Sequence, residues 1–204
     1  RLTEIPAPPF GERARAEAFM SLLREAGLRD VEMDAEGNVM GVRPGSGGGG
    51  MLAVLAHLDT VFPAGTDVRV RRDGDTLFAP GVGDDTRGLA MLLAIVRAMD
   101  TAGIRTRDDI LFVGNVGEEG EGDLRGVRFL LQRGRYRDRI TQVIAIDGSD
   151  QAQIVTGALG SRRYRVRFTG PGGHSYGAFG LVSPAFAMGN AMARFGKTPV
   201  PTSP

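Results

Sequence analysis

The chain has 204 residues with 25 Lys+Arg, 24 Asp+Glu, 2 His and no Cys, for a formal charge of +1. Without cysteine there is no disulfide framework, no thiolate chemistry and no cysteine zinc site. Charge this close to neutral argues against nucleic acid as the main partner, and no apolar run approaches the ~20 residues that cross a bilayer.

From Arg13 to Leu28 the residues Ala18, Phe19, Leu22, Leu23 and Ala26 recur at helical spacing, and Gly27 stands where such a helix stops. Short extended pieces follow around Val31 and Val39. The run Gly45 to Gly50 is a flexible connection. Met51 to Ala56 is continuously apolar, as in a strand covered on both faces. Val68 to Arg72 and Thr76 to Ala79, on either side of Asp73-Gly74-Asp75, read as a hairpin. Leu89, Leu92, Leu93, Val96 and Met99 share a helical face, and Ile110 to Val113 is the next apolar strand. A helix over Leu124 to Arg133 and a buried strand over Val143 to Ile146 complete the alternation.

Strands alternating with helices predict an α/β fold with a mostly parallel central sheet flanked by helices, because parallel strands need long crossovers. Near Gly157 to Ser161 the character changes. Tyr164, Val166 and Phe168 alternate with Arg163, Arg165 and Arg167, a strand with one wet face, and a helix is expected over Ser183 to Phe195 before the Pro-rich Thr198 to Pro204. The expected domains are residues 1–159 and the start of a smaller α+β domain at 160–204, one strand and one helix being too little to close a core. The expectation is a piece of a longer protein. It opens at Arg1 with neither a methionine nor a charged-then-apolar leader, as after removal of a signal peptide or trimming of the start. A cytoplasmic location is expected.

Chemistry-bearing residues gather at element ends. His57 and Asp59 follow the Met51 strand; if the chain stays extended, residues two apart share a face and Asp59 can fix the imidazole. Read alone, a strand-end histidine beside a turn aspartate is the simpler account. Asp84 and Asp85 sit among glycines just before the Leu89 helix, where one caps free N–H groups and the other can approach a cation. Glu118 and Glu119, with Glu121 and Asp123, form an acidic loop after the Ile110 strand, to be resolved by solvent or by a cation. Adjacent residues diverge, so one glutamate can bind a metal while the other acts as general base. Asp147 ends the Val143 strand. Position raises these above ordinary surface carboxylates: His57, Glu118/Glu119 and Asp147 follow carboxyl ends of separate predicted strands, where open α/β sheets bind ligands. One imidazole with several carboxylates suits Zn²⁺, with Mn²⁺ and Co²⁺ compatible, and a bridging aspartate can hold two ions ~3.5–4 Å apart.

As an ordered set, His57-x-Asp59, Asp84-Asp85, Glu118-Glu119 and Asp147 resemble the co-catalytic zinc metallopeptidase and deacylase family that includes glutamate carboxypeptidase, peptidase T, acetylornithine deacetylase and related dipeptidases. The resemblance spans nearly the whole chain. It implies a zinc-exopeptidase-like fold, Asp84 bridging two Zn²⁺ ions, His57 and Asp147 completing the first site, Glu119 at the second, Glu118 as general base and Asp59 orienting His57. Gly170-Pro171-Gly172-Gly173-His174-Ser175 looks like the family's lid motif, whose histidine polarises the scissile carbonyl, a role that maps to His174. A small peptide or N-acyl amino acid substrate and a homodimer through the lid domain are implied, with neither nucleic acid nor membrane as partner. Two departures stand out. Thr86 and Arg87 occupy the place where members often carry Lys, and no histidine follows His174 to serve the second metal. The alternatives are a non-catalytic metal-binding or dimerisation module of the same fold and, lower, anion binding by Arg133, Arg135, Arg137 and Arg139.

Overall fold

The computed structural model describes residues 1–148, 153–158, 160 and 163–200. The chain divides into two compact units, Arg1–Gln151 and Ala152–Pro204. Residue 159, where the sequence reading ends the first domain, lies outside the described residues.

Helix α1 (Arg13–Glu25) buries Arg15, Ala16, Phe19 and Leu23, so an arginine shares the face that the apolar spacing defines. It ends in a Schellman motif: Leu28 N–H donates to the Leu23 carbonyl at 3.3 Å and Gly27 N–H to that of Arg24 at 2.9 Å. Gly27 takes φ +78°, a conformation in which a Cβ is strained. Strands β1 (Arg29–Met33) and β2 (Val39–Arg43) follow, then β3 (Met51–His57). Strands β4 (Arg71–Asp73) and β5 (Thr76–Phe78) form a separate two-stranded hairpin, shorter than the sequence predicts. Helix α2 (Thr86–Thr101), strand β6 (Asp109–Asn115), helix α3 (Arg125–Gln132) and strand β7 (Ile140–Ala145) complete the first unit.

The main sheet has the order β1-β2-β6-β3-β7. Strand β3 pairs in parallel with both β6 and β7, whereas β1 with β2 and β2 with β6 are antiparallel, so the sheet is mixed and its parallel half carries the strands that lead into the candidate site. Alternate residues of β3 face opposite layers. Val54 and Ala56 join Phe19, Leu23, Leu89, Leu92 and Phe112 on the α1/α2 side, while Met51, Ala53 and Leu55 join Met40, Leu111, Val113 and Leu130 on the α3 side. Burial on both faces explains why β3 and β6 read as unbroken apolar runs.

Two sequence expectations are corrected. The predicted buried strand near Val143 is a strand but is exposed, with Val143 at 43% and Ile144 at 52%. Among the described residues it lies at the sheet edge, paired to β3 alone, so its apolar residues lack the cover that β3 receives. In the second unit the only element among the described residues is helix α4 (Pro184–Phe195), with Pro184 in its first turn after Ser183. The alternation of Tyr164, Val166 and Phe168 forms no strand among the described residues; period-two patterning makes a strand only where a partner supplies ladder hydrogen bonds.

Candidate metal centre

The register brings the chemistry together. His57, the last residue of β3, lies level with Asn115 of β6, and Leu55 lies level with Ala145 of β7, so the segments that follow these parallel strands emerge at one rim. His57 is 3% exposed. Its Nδ1 lies 2.9 Å from the Asp59 backbone carbonyl, which only accepts, so Nδ1 carries a proton and the ring is oriented from behind. Nε2 then faces Asp84 Oδ1 at 2.8 Å and Asp147 Oδ1 at 3.7 Å.

The aspartate pair divides its labour. Asp85, fully buried, caps α2 by accepting from Gly88 N–H at 3.0 Å and also accepts the His57 backbone N–H at 2.9 Å. A Cβ on residue 88 would collide with the Asp85 carboxylate, which accounts for the glycine there. Asp84 projects outward to the imidazole. The peptide between the two aspartates is cis.

Asp59 departs from the sequence expectation in a useful way. Its carboxylate stands 3.7 Å from His57 Nδ1, leaving the short contact to its own backbone carbonyl, and accepts the backbone N–H groups of Glu118 at 3.0 Å and Glu119 at 2.8 Å. The regular strand ends at His57, and the Asp59 carboxylate is directed to the Glu118 and Glu119 N–H groups rather than to the ring. One buried carboxylate thereby ties the loop after β6 to the loop after β3.

Two groups of donors result: His57 with Asp84 and Asp147, and His57 with Glu118 and Glu119, with ligand atoms in each group within 4.8 Å of one another. Tetrahedral ligands held at ~2.1 Å from an ion stand ~3.4 Å apart, so the 2.8 and 3.7 Å separations around Nε2 fit a divalent cation with small adjustments. The electrostatics agree. Burial disfavours charge on His57, but the nearby carboxylates of Asp147, Asp59 and Asp85 outweigh it and raise the imidazole pKa to about 11. Burial pushes Asp85 up to about 7 against the pull of His57. Glu118 and Glu119 are raised, by burial first and then by neighbouring carboxylates, with His57 opposing. Asp147 is lowered by the nearby His57 imidazole; Asp59 is lowered because His57 and the two loop N–H groups outweigh its burial. A rim with this surplus of negative charge calls for a cation.

Sequence reasoning missed the supports. Asn38, fully buried, accepts from Val116 N–H at 3.1 Å and donates to the Gly126 carbonyl at 3.0 Å, fixing the start of the glutamate loop. Arg125 reinforces that loop through Glu12 at 2.6 Å and Glu36 at 3.0 Å. Arg87 donates to the Gly148 carbonyl at 2.7 Å, next to Asp147. Arg15 donates to the Leu58 carbonyl at 2.7 Å. The one available signal was Arg15 itself, four residues before Phe19 and eight before Leu23 on the buried face of α1. His174 belongs to the second unit, where it is exposed and its Nδ1 accepts from Tyr176 N–H at 3.2 Å.

Residues 53–194 match the sequence profile of Peptidase family M20/M25/M40. The chain belongs to this family. Carboxypeptidase G2 of Pseudomonas sp. (strain RS-16) is 26% identical over 140 residues, covering 68% of this chain and 33% of that protein. This M20-family chain thus spans about a third of the length of that relative. Among solved structures, aminopeptidase PepT from Bacillus cereus ATCC 10987 superposes with a TM-score of 0.58 at 21% identity, covering 72% of this chain and 41% of that one. The Bacillus subtilis YXEP protein, described as a dinuclear metal binding peptidase of the M20 family, gives 0.52 at 13% identity over 72% and 40%. These two likenesses establish the M20 fold. The two His57-sharing donor groups are compatible with a dinuclear centre.

Proposed function

We propose that the protein is a metal-dependent hydrolase that cleaves an amide bond in a peptide or N-acyl amino acid. The observation that carries this reading is the convergence of His57, Asp84, Asp147, Glu118 and Glu119 at the rim beyond the parallel strands. Family membership and the likeness to carboxypeptidase G2 support the substrate class. His57, Asp84 and Asp147 would hold a first divalent cation, and Asp84 with Glu119 a second; imidazole with carboxylates favours Zn²⁺, with Mn²⁺ or Co²⁺ as substitutes. Bound there, such ions supply Lewis acidity toward the attacking water and the scissile carbonyl.

The side chains supply the rest. Glu118, raised above the ordinary carboxylate range, takes a proton from the attacking water as the C–O bond forms, then delivers it to the amine nitrogen as the C–N bond breaks. Asp59 holds the Glu118 backbone in place through its N–H and orients the His57 ring through its own carbonyl. His174 is assigned to stabilise the oxyanion from the lid unit. A homodimer joined through that unit belongs to the same reading, supported by the family resemblance and by exposed Phe186, Met192 and Phe195 on α4, and a cytoplasmic location is proposed beside it. Among the described residues, no helix is long and apolar enough to cross a membrane.

The test is Glu118→Gln in the intact protein. Turnover of N-acyl amino acids and dipeptides should fall ~10²–10⁴-fold, the usual worth of a positioned general base, with metal content unchanged. Turnover near the parent value would remove Glu118 from the chemistry. Metal binding by a parent protein that hydrolyses none of these substrates would favour the non-catalytic metal-binding module.

A further inference from the structure

We propose that Arg15 is a positioning residue of the metal centre, acting through the backbone of the His57-Leu58-Asp59 segment. The inference rests on the metal-centre reading above. Arg15 has no solvent exposure and lies on the face of α1 that otherwise packs Ala16, Phe19 and Leu23 into the core. A buried guanidinium is costly unless its donors are satisfied, and an apolar residue would serve the helix face equally well. The donors are spent on carbonyls: Nη1 on Leu58 at 2.7 Å, and Nε and Nη2 on Ile5 at 2.9 and 2.6 Å. Leu58 is the residue between His57 and Asp59, and its N–H donates to the Asn115 carbonyl at 2.7 Å, so its flanking peptides are gripped from β6 and from α1.

Two effects reach the ligands from this one side chain. The fork fixes the peptide that joins the imidazole ligand to the Asp59 carbonyl that orients it, a geometry that a lysine ammonium does not reproduce. The fixed positive charge also attracts the Asp59 carboxylate, which holds the backbone of both Glu118 and Glu119. Burial lowers the guanidinium pKa only to about 10, with Asp59 opposing the fall, so the charge persists at neutral pH. Arg15 is thus placed to stiffen both donor groups without touching either.

The test is Co²⁺ titration of the intact protein followed by its visible d–d absorption, which reports coordination geometry. Arg15→Lys keeps the charge, Arg15→Met removes it, and Leu23→Ala is a control for destabilisation of the same helix face. Arg15→Lys should bind Co²⁺ at least tenfold more weakly with an altered band shape, and Arg15→Met more weakly still, while Leu23→Ala retains parental affinity and bands. Parental binding by both Arg15 variants overturns the inference. So does an equal loss in Leu23→Ala, and so does failure of both Arg15 variants to fold while Leu23→Ala folds, since each assigns Arg15 to the scaffold alone. A parent protein that binds no Co²⁺ would instead defeat the metal-centre reading.

Discussion

His57 has its proton fixed on Nδ1 by a carbonyl, and its Nε2 faces carboxylates that hold a second proton when no cation is present. Its pKa, raised to about 11 despite burial, makes proton and metal competitors for the same nitrogen. Below pH 11 an ion entering the first site must displace that proton, so affinity should rise with pH, approaching tenfold per unit where one proton is released. The sign for stability is opposite: the stabilisation that protonated His57 gives the metal-free fold is present below about 6.5 and lost as pH rises through about 11. Zn²⁺ calorimetry between pH 6 and 8, in buffers of different ionisation enthalpy, should show about one proton released per first-site ion. Affinity independent of pH would mean that Nε2 is not a ligand. The residue types were legible in the sequence, but their division of labour was not. Asp84 and Asp85 are chemically identical neighbours, and only the path of the backbone into α2 sends one to the cap and the other to the imidazole. Extended spacing past His57 points the Asp59 carboxylate at the ring, whereas it lies 3.7 Å away and serves the glutamate loop instead, beyond the end of the regular strand.

Elements covered on both faces were the most readable. Strands β3 and β6 carry unbroken apolar runs because both layers press on them, and α1, α2 and α3 announce themselves by periodic apolar residues. The apolar run of β7 resembles theirs, yet an edge strand with one partner leaves Val143 and Ile144 exposed, which composition alone cannot reveal. Tyr164 to Phe168 shows the converse, a strand pattern that forms no strand among the described residues. The stop of α1 at Gly27 was legible for a sound reason: the Schellman turn needs a left-handed residue there. Gly27→Ala should therefore cost about 1 kcal/mol in urea unfolding, since nothing crowds the new methyl and only φ is strained. Metal affinity should be unchanged, because Gly27 touches no ligand. A neutral or stabilising result would show that the helix ends without needing that conformation.

At the scale of the whole molecule, distant parts of the chain meet at one rim because parallel strands deliver their carboxyl ends to the same side. Strand β3 brings His57, β6 leads to Glu118 and Glu119, and β7 leads to Asp147, while Asp84 arrives at the start of α2. That common destination was inferred from strand order along the chain. The clamps behind it, Asn38, Arg125 and Arg15, depend on contacts 43 to 113 residues apart in sequence and left no local pattern. The account stands on the donors forming a cation site, which anomalous X-ray diffraction at the zinc edge from Zn²⁺-loaded crystals tests most directly. It predicts an ion ~2.0–2.2 Å from His57 Nε2 and from oxygens of Asp84 and Asp147, with a second ion ~3.5–4 Å away beside Glu119. Absence of anomalous density at this rim, or ions bound only elsewhere, would contradict it.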